Sequence, residues 1–439
     1  MMSSDRAPHR DTRSLGPVIT AEAGVAYVLV FVIALRYRLP LEISSAFVAA
    51  VVALPVTIRV IRRYRGAMTI SVLSVAAAIS GLILTATAAE RMLQVNEILA
   101  LQKTIGILSV AVVTLALLWA RSVIGIRNVV LVFAVGMIGA VAVAGVDPSN
   151  PWKASFSLPL ALLLLSLPWV YARRLPQAAI AIALAGVSAA ADSRSAAALL
   201  LIAAALTFSQ ARVKTGVTPT ITRVAGMTVR LALIGVGAFY AIQAAFVEGA
   251  LGEAVQERTE SQLQAGSVLA GGRPEMGATL ALVGENPWGF GSGVILSQSI
   301  VRVAKGGMAA LGYDPNNGYV ERYMFGAGIE VHSLVGDFWL MFGLAGLALA
   351  IAVGVMSIYG LIVRMSLGIA STVVVFLVLR LTWDLLFSPY LTSLRILPLV
   401  LAVALPLAVA ATHRERATVD RASMLRELGT TGPVVHSGR

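Results

Sequence analysis

Long runs of apolar residues recur along this chain, and they constrain its fold more than any other feature. A helix needs about 20 mostly apolar residues to cross a bilayer, with roughly 17–25 as the working range. Twelve segments approach or meet this requirement: 18–35, 43–58, 67–89, 104–120, 128–146, 156–172, 177–191, 195–211, 228–247, 334–362, 367–387 and 395–412. The second and the seventh are the shortest of these candidates.

The apolar segments predict helices rather than the strands of a barrel. Backbone groups inside hydrocarbon must be hydrogen-bonded, which leaves only helices and closed barrels as spanning structures. Barrel strands alternate apolar and polar residues, whereas residues 160–167 and 196–206 do not alternate. With 58% apolar and 13% charged residues, the chain also has too little polar surface for a soluble protein of this size. The sequence therefore predicts an all-α, polytopic transmembrane helical bundle of about 12 spans.

The positions of arginine and lysine predict the orientation of these spans. Cytoplasmic loops are enriched in basic residues, and placing the N-terminus in the cytoplasm puts most of the 34 basic residues on that side. The predicted organisation is a cytoplasmic tail (1–17), a single membrane domain (18–412) with a long extracytoplasmic loop (248–333), and a second cytoplasmic tail (413–439). The net charge of +12 is then mostly a topology signal, with attraction to anionic membrane lipids.

Several classes of chemistry are excluded by composition. The scattered basic residues form no basic and aromatic patch, so we predict no nucleic-acid partner. The chain has no cysteine, and its four histidines lack the spacing of metal ligands. The sequence therefore predicts neither disulfides nor a metal site.

The predicted extracytoplasmic loop is too long for a simple turn, so we expect it to carry structure and function. Residues 248–264 are rich in Glu and Gln and predict a polar helix at the membrane surface. Residues 266–293 are rich in glycine, and residues 306–328 combine turn residues with aromatic side chains. Such aromatic residues suit contact with sugar rings, and they suit anchoring at the membrane interface equally well.

Three ionisable residues in the long loop or at the edges of spans are the main functional candidates, because such residues are expensive in or next to a membrane. Arg194 lies between the seventh and eighth spans, Arg273 lies in the long loop, and His332 lies where the loop enters the tenth span. All three fall on the predicted outer side. The alternative is that each arginine only sets the topology and that the histidine is merely packed or solvated.

Together these three side chains suggest an anion site with a base. Arginine has a planar fork of donors that suits phosphate, so two arginines could hold a diphosphate without metal. Histidine is the side chain best matched to proton transfer near neutral pH. A consistent reaction is displacement of a lipid diphosphate by a hydroxyl group that His332 orients or deprotonates.

Other charged residues are secondary candidates. Arg380 and Asp384 lie four residues apart, hence on one helix face, and a structural pair within the membrane is favoured over a substrate site. Asp337, in the tenth predicted span, could line the same substrate cavity as this pair or cap a helix turn. The possible cavity residues or electrostatic helpers are Asp192, Arg302, Arg322, Arg36 and Arg38.

At the level of motifs, the chain resembles the bacterial O-antigen ligase and O-antigen polymerase superfamily, which are membrane glycosyltransferases that use polyprenyl-diphosphate donors. The resemblance covers roughly residues 190 to 360 and depends on order and spacing. It is carried by Ser193-Arg194-Ser195-Ala196, by Gly272-Arg273 followed by Glu275, by Asn286-Pro287-Trp288-Gly289-Phe290-Gly291-Ser292-Gly293, and by His332-Ser333-Leu334.

The resemblance implies a multi-span, GT-C-like fold in the bacterial cytoplasmic (inner) membrane with an extracytoplasmic active site. It implies transfer of a glycan from undecaprenyl diphosphate, or a related carrier, to a hydroxyl of a glycan, lipid or protein acceptor. No cofactor, nucleotide sugar or metal would be needed. By this resemblance Arg194 and Arg273 bind the diphosphate, and His332 activates or positions the acceptor hydroxyl.

Two other classes of function stay open. A flippase for lipid-linked glycans, or another secondary transporter, suits twelve spans with both termini inside, and Arg380 with Asp384 could serve its pathway. The chain has no internal repeat of the kind that transporters often show. A non-catalytic membrane scaffold would leave the arginine and histidine set unexplained.

Overall fold

The protein is described by a computed structural model that covers residues 20–40, 43–90, 93–210, 222, 224–231, 233–234, 237, 274–326 and 328–408. Within these ranges the chain is helical and contains no strand. The α-helices are α1 (Ala21–Leu35), α2 (Ser45–Thr57), α3 (Ala67–Glu90), α4 (Glu97–Ala144), α5 (Ser157–Leu165), α6 (Pro168–Tyr171), α7 (Arg174–Ala190), α8 (Arg194–Ser209), α9 (Glu275–Glu285), α10 (Gln298–Ala309), α11 (Leu334–Ser366), α12 (Thr372–Phe387), α13 (Tyr390–Ser393) and α14 (Leu397–Ala404). Short π-helical turns occupy Trp152–Phe156 and Tyr319–Met324, and a 3-10 turn at Ile58–Arg62 continues α2.

Four helical segments of the described residues are long and apolar enough to cross a membrane, namely Ser45–Arg62, Ala67–Glu90, Glu97–Ala144 and Leu334–Ser366. Shorter apolar helices accompany them, among them α1, α7 and α8. The chain is therefore an all-α protein whose long apolar helices indicate a membrane protein. The prediction of helices is confirmed, whereas the count of twelve spans stays a prediction.

Polar side chains define where several of these helices begin. Ser44 Oγ accepts a hydrogen bond from the Ala46 N–H at 3.2 Å, and Asn96 Oδ1 accepts one from the Leu99 N–H at 3.0 Å. The first N–H groups of a helix have no partner within the helix, so such caps satisfy them. These polar residues therefore mark the starts of α2 and α4.

Helix α4, of 48 residues, consists of two helical arms that meet at Gly125, where the backbone is not helical (φ 78°, ψ 163°). It includes both the fourth and the fifth predicted span. Ser109 of its first arm and Phe133 of its second arm line the same pocket, so the two arms lie side by side. Helix α4 also contacts α1, α2, α3 and α14, which makes it the centre of the bundle.

Two predicted spans differ from the observed helices. The sixth, 156–172, is divided into α5 and α6, because the chain is extended at Leu167 just before Pro168 (ψ 138°), where the ring of the proline disfavours a continuing helix. Of the twelfth, 395–412, the structure describes residues up to 408, and within these the helix covers Leu397–Ala404 and ends at Leu405. The polar helix predicted at 248–264 lies outside the described residues.

The segment 286–296 of the predicted loop is packed into the bundle rather than lying on its surface. Its Phe290 N–H donates to the Leu340 carbonyl of α11 at 2.7 Å, and the indole Nε1–H of Trp339 donates to the Pro287 carbonyl at 2.8 Å. These bonds form where α11 is interrupted at Gly343, whose φ is 64°. Segment 286–296 therefore supplies hydrogen-bond partners to α11 close to the position where that helix is interrupted.

The other side of segment 286–296 packs against α3 and the start of α4. The Gly293 N–H donates to Thr85 Oγ1 at 3.1 Å, and the Gly293 carbonyl accepts from the Asn96 N–H at 2.8 Å. At Gly291, where φ is +117°, a Cβ atom would lie 2.6 Å from the backbone nitrogen of Thr85. Glycine is thus required here both by conformation and by space.

Candidate functional site

His332 lies at the junction between the 274–326 region and α11, in an unusual backbone conformation. Its φ is 52°, a value that residues other than glycine rarely adopt. Its Nδ1 lies 3.2 Å from the carbonyl oxygen of Glu330. In the tautomer that donates this bond, Nε2 carries a lone pair, and it makes no hydrogen bond to the described residues. A half-buried imidazole held in this way is suited to accept a proton.

Asp337 holds the backbone immediately before His332. Its carboxylate is fully buried, and Oδ1 accepts from the Val331 N–H at 2.7 Å while Oδ2 accepts from the Tyr390 N–H at 2.9 Å. Strained backbone persists only where surrounding contacts over-determine it. The carboxylate of Asp337 thus ties the residue before His332 to the start of α13.

Ser333 secures the other side of the same junction. Its Oγ accepts from the Gly336 N–H at 3.3 Å, which caps α11, and the hydroxyl lies 3.2 Å from the Leu385 carbonyl of α12, to which it donates. Val331 and Ser333, the residues on either side of His332, are therefore both held by hydrogen bonds. Their partners lie in α11 and α12, and Asp337 extends the link to α13.

The ring of His332 packs on Tyr319, with 5.1 Å between ring centroids. The Tyr319 hydroxyl donates to Glu275 Oε1 at 2.7 Å. The second carboxylate oxygen of Glu275, Oε2, is buried and has no hydrogen-bond partner within the described residues. These contacts form a chain of three side chains, Glu275–Tyr319–His332, in which a carboxylate oxygen stays available to a hydroxyl or cationic group.

Behind this chain, a buried ion pair joins α4 to the residues before His332. Lys103 Nζ lies 2.9 Å from Glu330 Oε1, and only 4% of the lysine side chain is exposed. The ammonium also lies 4.7 Å from the centroid of the Tyr390 ring, and the Tyr390 hydroxyl donates to the Lys103 carbonyl at 2.6 Å. Lys103 therefore connects Glu330 and Tyr390, the same two segments that Asp337 connects.

We expect Glu330→Gln to lower the free energy of unfolding by about 3 kcal/mol, because it leaves the buried Lys103 charge uncompensated. The double variant Lys103→Met/Glu330→Gln should recover a large part of this loss, since it removes both charges. Thermal unfolding of the full chain in detergent would measure both. The more exposed pair of Lys305 and Glu321 is the control, and breaking it should cost at most about 1 kcal/mol. Equal losses at the two pairs would contradict the prediction.

Arg194 begins α8 and belongs to a separate polar corner. Its Nε lies 3.3 Å from Asp192 Oδ1, and Asp192 has a φ of 51°. No hydrogen bond or ion pair of the described residues joins Arg194 to His332, and Arg273 lies outside the described residues. The predicted trio is therefore not assembled by the contacts that the described part contains.

The predicted helix-face pair is formed in α12. Arg380 Nε lies 2.9 Å from Asp384 Oδ1, and the Ser388 hydroxyl donates to the same oxygen at 2.6 Å. The pair holds the end of α12 against the chain that leads into α13. Arg302 on α10 and Arg322 on the second π-helical turn are exposed.

The sequence did not single out Lys103 or Tyr319, and it assigned Glu275 to a motif without a role. Lys103 is the residue immediately before the predicted span 104–120, where a basic residue is ordinary. Comparison with protein-family models, with curated proteins and with solved structures finds no match. The site is therefore interpreted from its own geometry.

Proposed function

We propose that the protein is a glycosyltransferase that moves a glycan from a polyprenyl diphosphate carrier to an acceptor hydroxyl at the outer face of the membrane. The supporting observation is the Glu275–Tyr319–His332 chain. It places the end of the Gly272-Arg273-x-Glu275 motif in contact, through one tyrosine, with the histidine. Two sequence elements that were selected separately thus contribute to one cluster.

In this proposal His332 takes the proton of the acceptor hydroxyl through Nε2. The hydroxyl oxygen attacks the anomeric carbon of the glycan, the bond from that carbon to the diphosphate oxygen breaks, and the polyprenyl diphosphate leaves. Arg194 and Arg273 would offset the negative charge that grows on the leaving group. Glu275 Oε2 has a free acceptor position with which to orient the acceptor sugar or a neighbouring cation.

The decisive experiment incubates purified protein with a polyprenyl-diphosphate glycan and candidate hydroxyl acceptors, and measures glycan transfer. His332→Asn is the sharper variant, because asparagine tolerates positive φ while it lacks a comparable base. Loss of a general base lowers the rate by roughly 10²–10⁴-fold, and we expect losses in this range for His332→Asn and His332→Ala. Arg273→Ala should cost about 10²–10³-fold, the effect of removing one stabilising donor.

The matched control is His413→Ala, which removes a histidine of the predicted cytoplasmic tail and should leave transfer unchanged. Transfer that survives both His332→Asn and Arg273→Ala would contradict the proposed site. Translocation of the lipid-linked glycan across liposomes without any transfer would support the alternative of a transporter.

The proposed orientation has its own test, because the chain contains no cysteine. A single cysteine introduced as His332→Cys should react with a membrane-impermeant thiol reagent added from outside the cytoplasmic membrane. Arg59→Cys, on the 3-10 turn after α2, should react only after the cytoplasmic side is opened. The opposite labelling pattern would place the histidine on the wrong side for this reaction.

A further inference from the structure

A second basic site lies at the end of α1. A small pocket there is lined by Arg36 at the end of α1, Ser109 from α4 and Arg395 from the chain after α13. Ser44 and Phe47 of the α2 start complete one wall. Four parts of the chain thus converge on a pocket that contains two guanidinium groups.

Neither arginine has a counter-charge among the described residues. No described carboxylate lies within ion-pair distance of Arg36 or Arg395, and no described residue accepts a hydrogen bond from either side chain. Burial, and next the positive charge of Arg395, lower the pKa of Arg36 to about 10. Arg36 is half-buried and Arg395 is exposed, and two like charges close to each other are unfavourable unless an anion compensates them.

The backbone at Arg36 supports a functional role for its position. Three non-glycine residues of the described chain have positive φ, and they are Arg36, Asp192 and His332. Strained backbone clusters at binding and active sites, and the sequence names His332 as a main candidate and both Asp192 and Arg36 as possible helpers. At a φ of 46° Arg36 ends α1, with its N–H donating to the Val32 carbonyl at 3.3 Å.

The remaining walls add donors and positive potential. Ser44 Oγ accepts from the Ala46 N–H, while its own O–H donates to no described atom and stays available to a ligand. The same residue precedes α2, a helix of 13 residues, whose N-terminal dipole favours negative charge. Two guanidinium groups, a free hydroxyl and a helix N-terminus form a consistent set of donors for one anion.

We propose that Arg36 and Arg395 form a binding site for a phosphate-type oxyanion, supplied either by the headgroup of an anionic lipid or by free phosphate. Arginine pairs bind such groups through two parallel N–H donors on each guanidinium. This proposal concerns residues other than Arg194 and Arg273, and it does not depend on the glycosyltransferase proposal. Arg395 follows α13, whose first residue, Tyr390, donates its N–H to Asp337, so the anion site and the His332 site share one short segment.

The test measures anion binding to the full chain with two probes. Inorganic phosphate is titrated at constant ionic strength in detergent, and the shift in unfolding temperature gives the half-saturating concentration. In parallel, protein is released from nanodiscs that contain equal amounts of phosphatidylglycerol and phosphatidylcholine, and the lipids that stay bound are counted by native mass spectrometry.

Arg36→Gln and Arg395→Gln should each raise the half-saturating phosphate concentration, or lower phosphatidylglycerol retention, by about tenfold, the effect of losing one charge-assisted contact. Saturable phosphate binding without lipid preference identifies the free anion as the source. Selective retention of phosphatidylglycerol identifies the lipid headgroup. The matched control is Arg59→Gln, the same charge change at the far end of α2, which should leave both measurements unchanged.

The proposal is overturned if neither probe binds saturably to the unmodified chain, or if binding in both glutamine variants equals that of Arg59→Gln. Glutamine at position 36 has the same backbone strain as arginine, and Arg36→Lys supplies a second variant that keeps the charge. The lysine variant should bind with an affinity between those of the unmodified chain and Arg36→Gln. Arg395→Gln lies outside any α-helix and keeps the test valid if Arg36→Gln does not fold.

Discussion

Asp337→Asn is expected to lower the free energy of unfolding by about 3 kcal/mol. The two carboxylate oxygens each accept a backbone N–H, from Val331 and from Tyr390. Asparagine keeps the shape but presents an NH₂ group to one of these two donors, so one buried N–H loses its acceptor. The same change releases the backbone at His332, and glycan transfer should fall together with stability.

The measurement is the unfolding temperature of the full chain in detergent, together with transfer by the protein that remains folded. The control is Asp314→Asn, at an exposed carboxylate whose Oδ1 accepts from the Asn316 N–H in a turn. Surface changes of this kind stay within about 0.5 kcal/mol. A loss at Asp337 no larger than the loss at Asp314 would mean that Asp337 does not hold this junction.

Gly291→Ala is expected to have an effect of at least similar size, for a steric reason. The added Cβ would lie 2.6 Å from the backbone nitrogen of Thr85, and φ at this position is +117°. A backbone atom cannot move aside as the end of a flexible side chain can, so segment 286–296 must shift away from α3. Strain at such a position costs about 1–3 kcal/mol before the clash is counted.

Gly284→Ala provides the matched comparison for this substitution. Gly284 lies in α9, and a Cβ atom there would meet nothing within 4 Å. Alanine should therefore stabilise the helix by roughly 0.4–1 kcal/mol, because it reduces the freedom of the unfolded chain. Unfolding temperatures of the two variants should move in opposite directions. A Gly291→Ala protein as stable as the unmodified chain would contradict the packing of segment 286–296 against α3.

The positions of most helices could be predicted because each depends on a local run of apolar residues. The non-helical backbone at Gly125 could be predicted only as a gap between two spans, since glycine permits such a backbone without requiring it. The docking of segment 286–296 could not be predicted, because it depends on contacts with Thr85 and Leu340, which lie far away in the sequence. The sequence shows that this segment is rich in glycine, but not that Gly291 and Gly293 pack closely against α3 and the start of α4.

Within the candidate site, His332 could be selected from sequence because an ionisable residue at the edge of a span is rare and costly. Lys103 and Tyr319 could not, because they lie far from each other in the sequence and are connected to this site only in the folded bundle. Nor does an isolated sequence indicate that Asp337 accepts two backbone N–H groups, a role that requires Tyr390 to approach from α13.

The interruption of α11 at Gly343 has a consequence for the biogenesis of this protein. The Leu340 carbonyl, one turn before the break, accepts the Phe290 N–H from segment 286–296. Backbone groups that lack a partner are costly in hydrocarbon, so α11 reaches its lowest free energy only after segment 286–296 has docked. Translation produces that segment before α11. The order of synthesis therefore makes the segment available before the helix whose Leu340 carbonyl it satisfies.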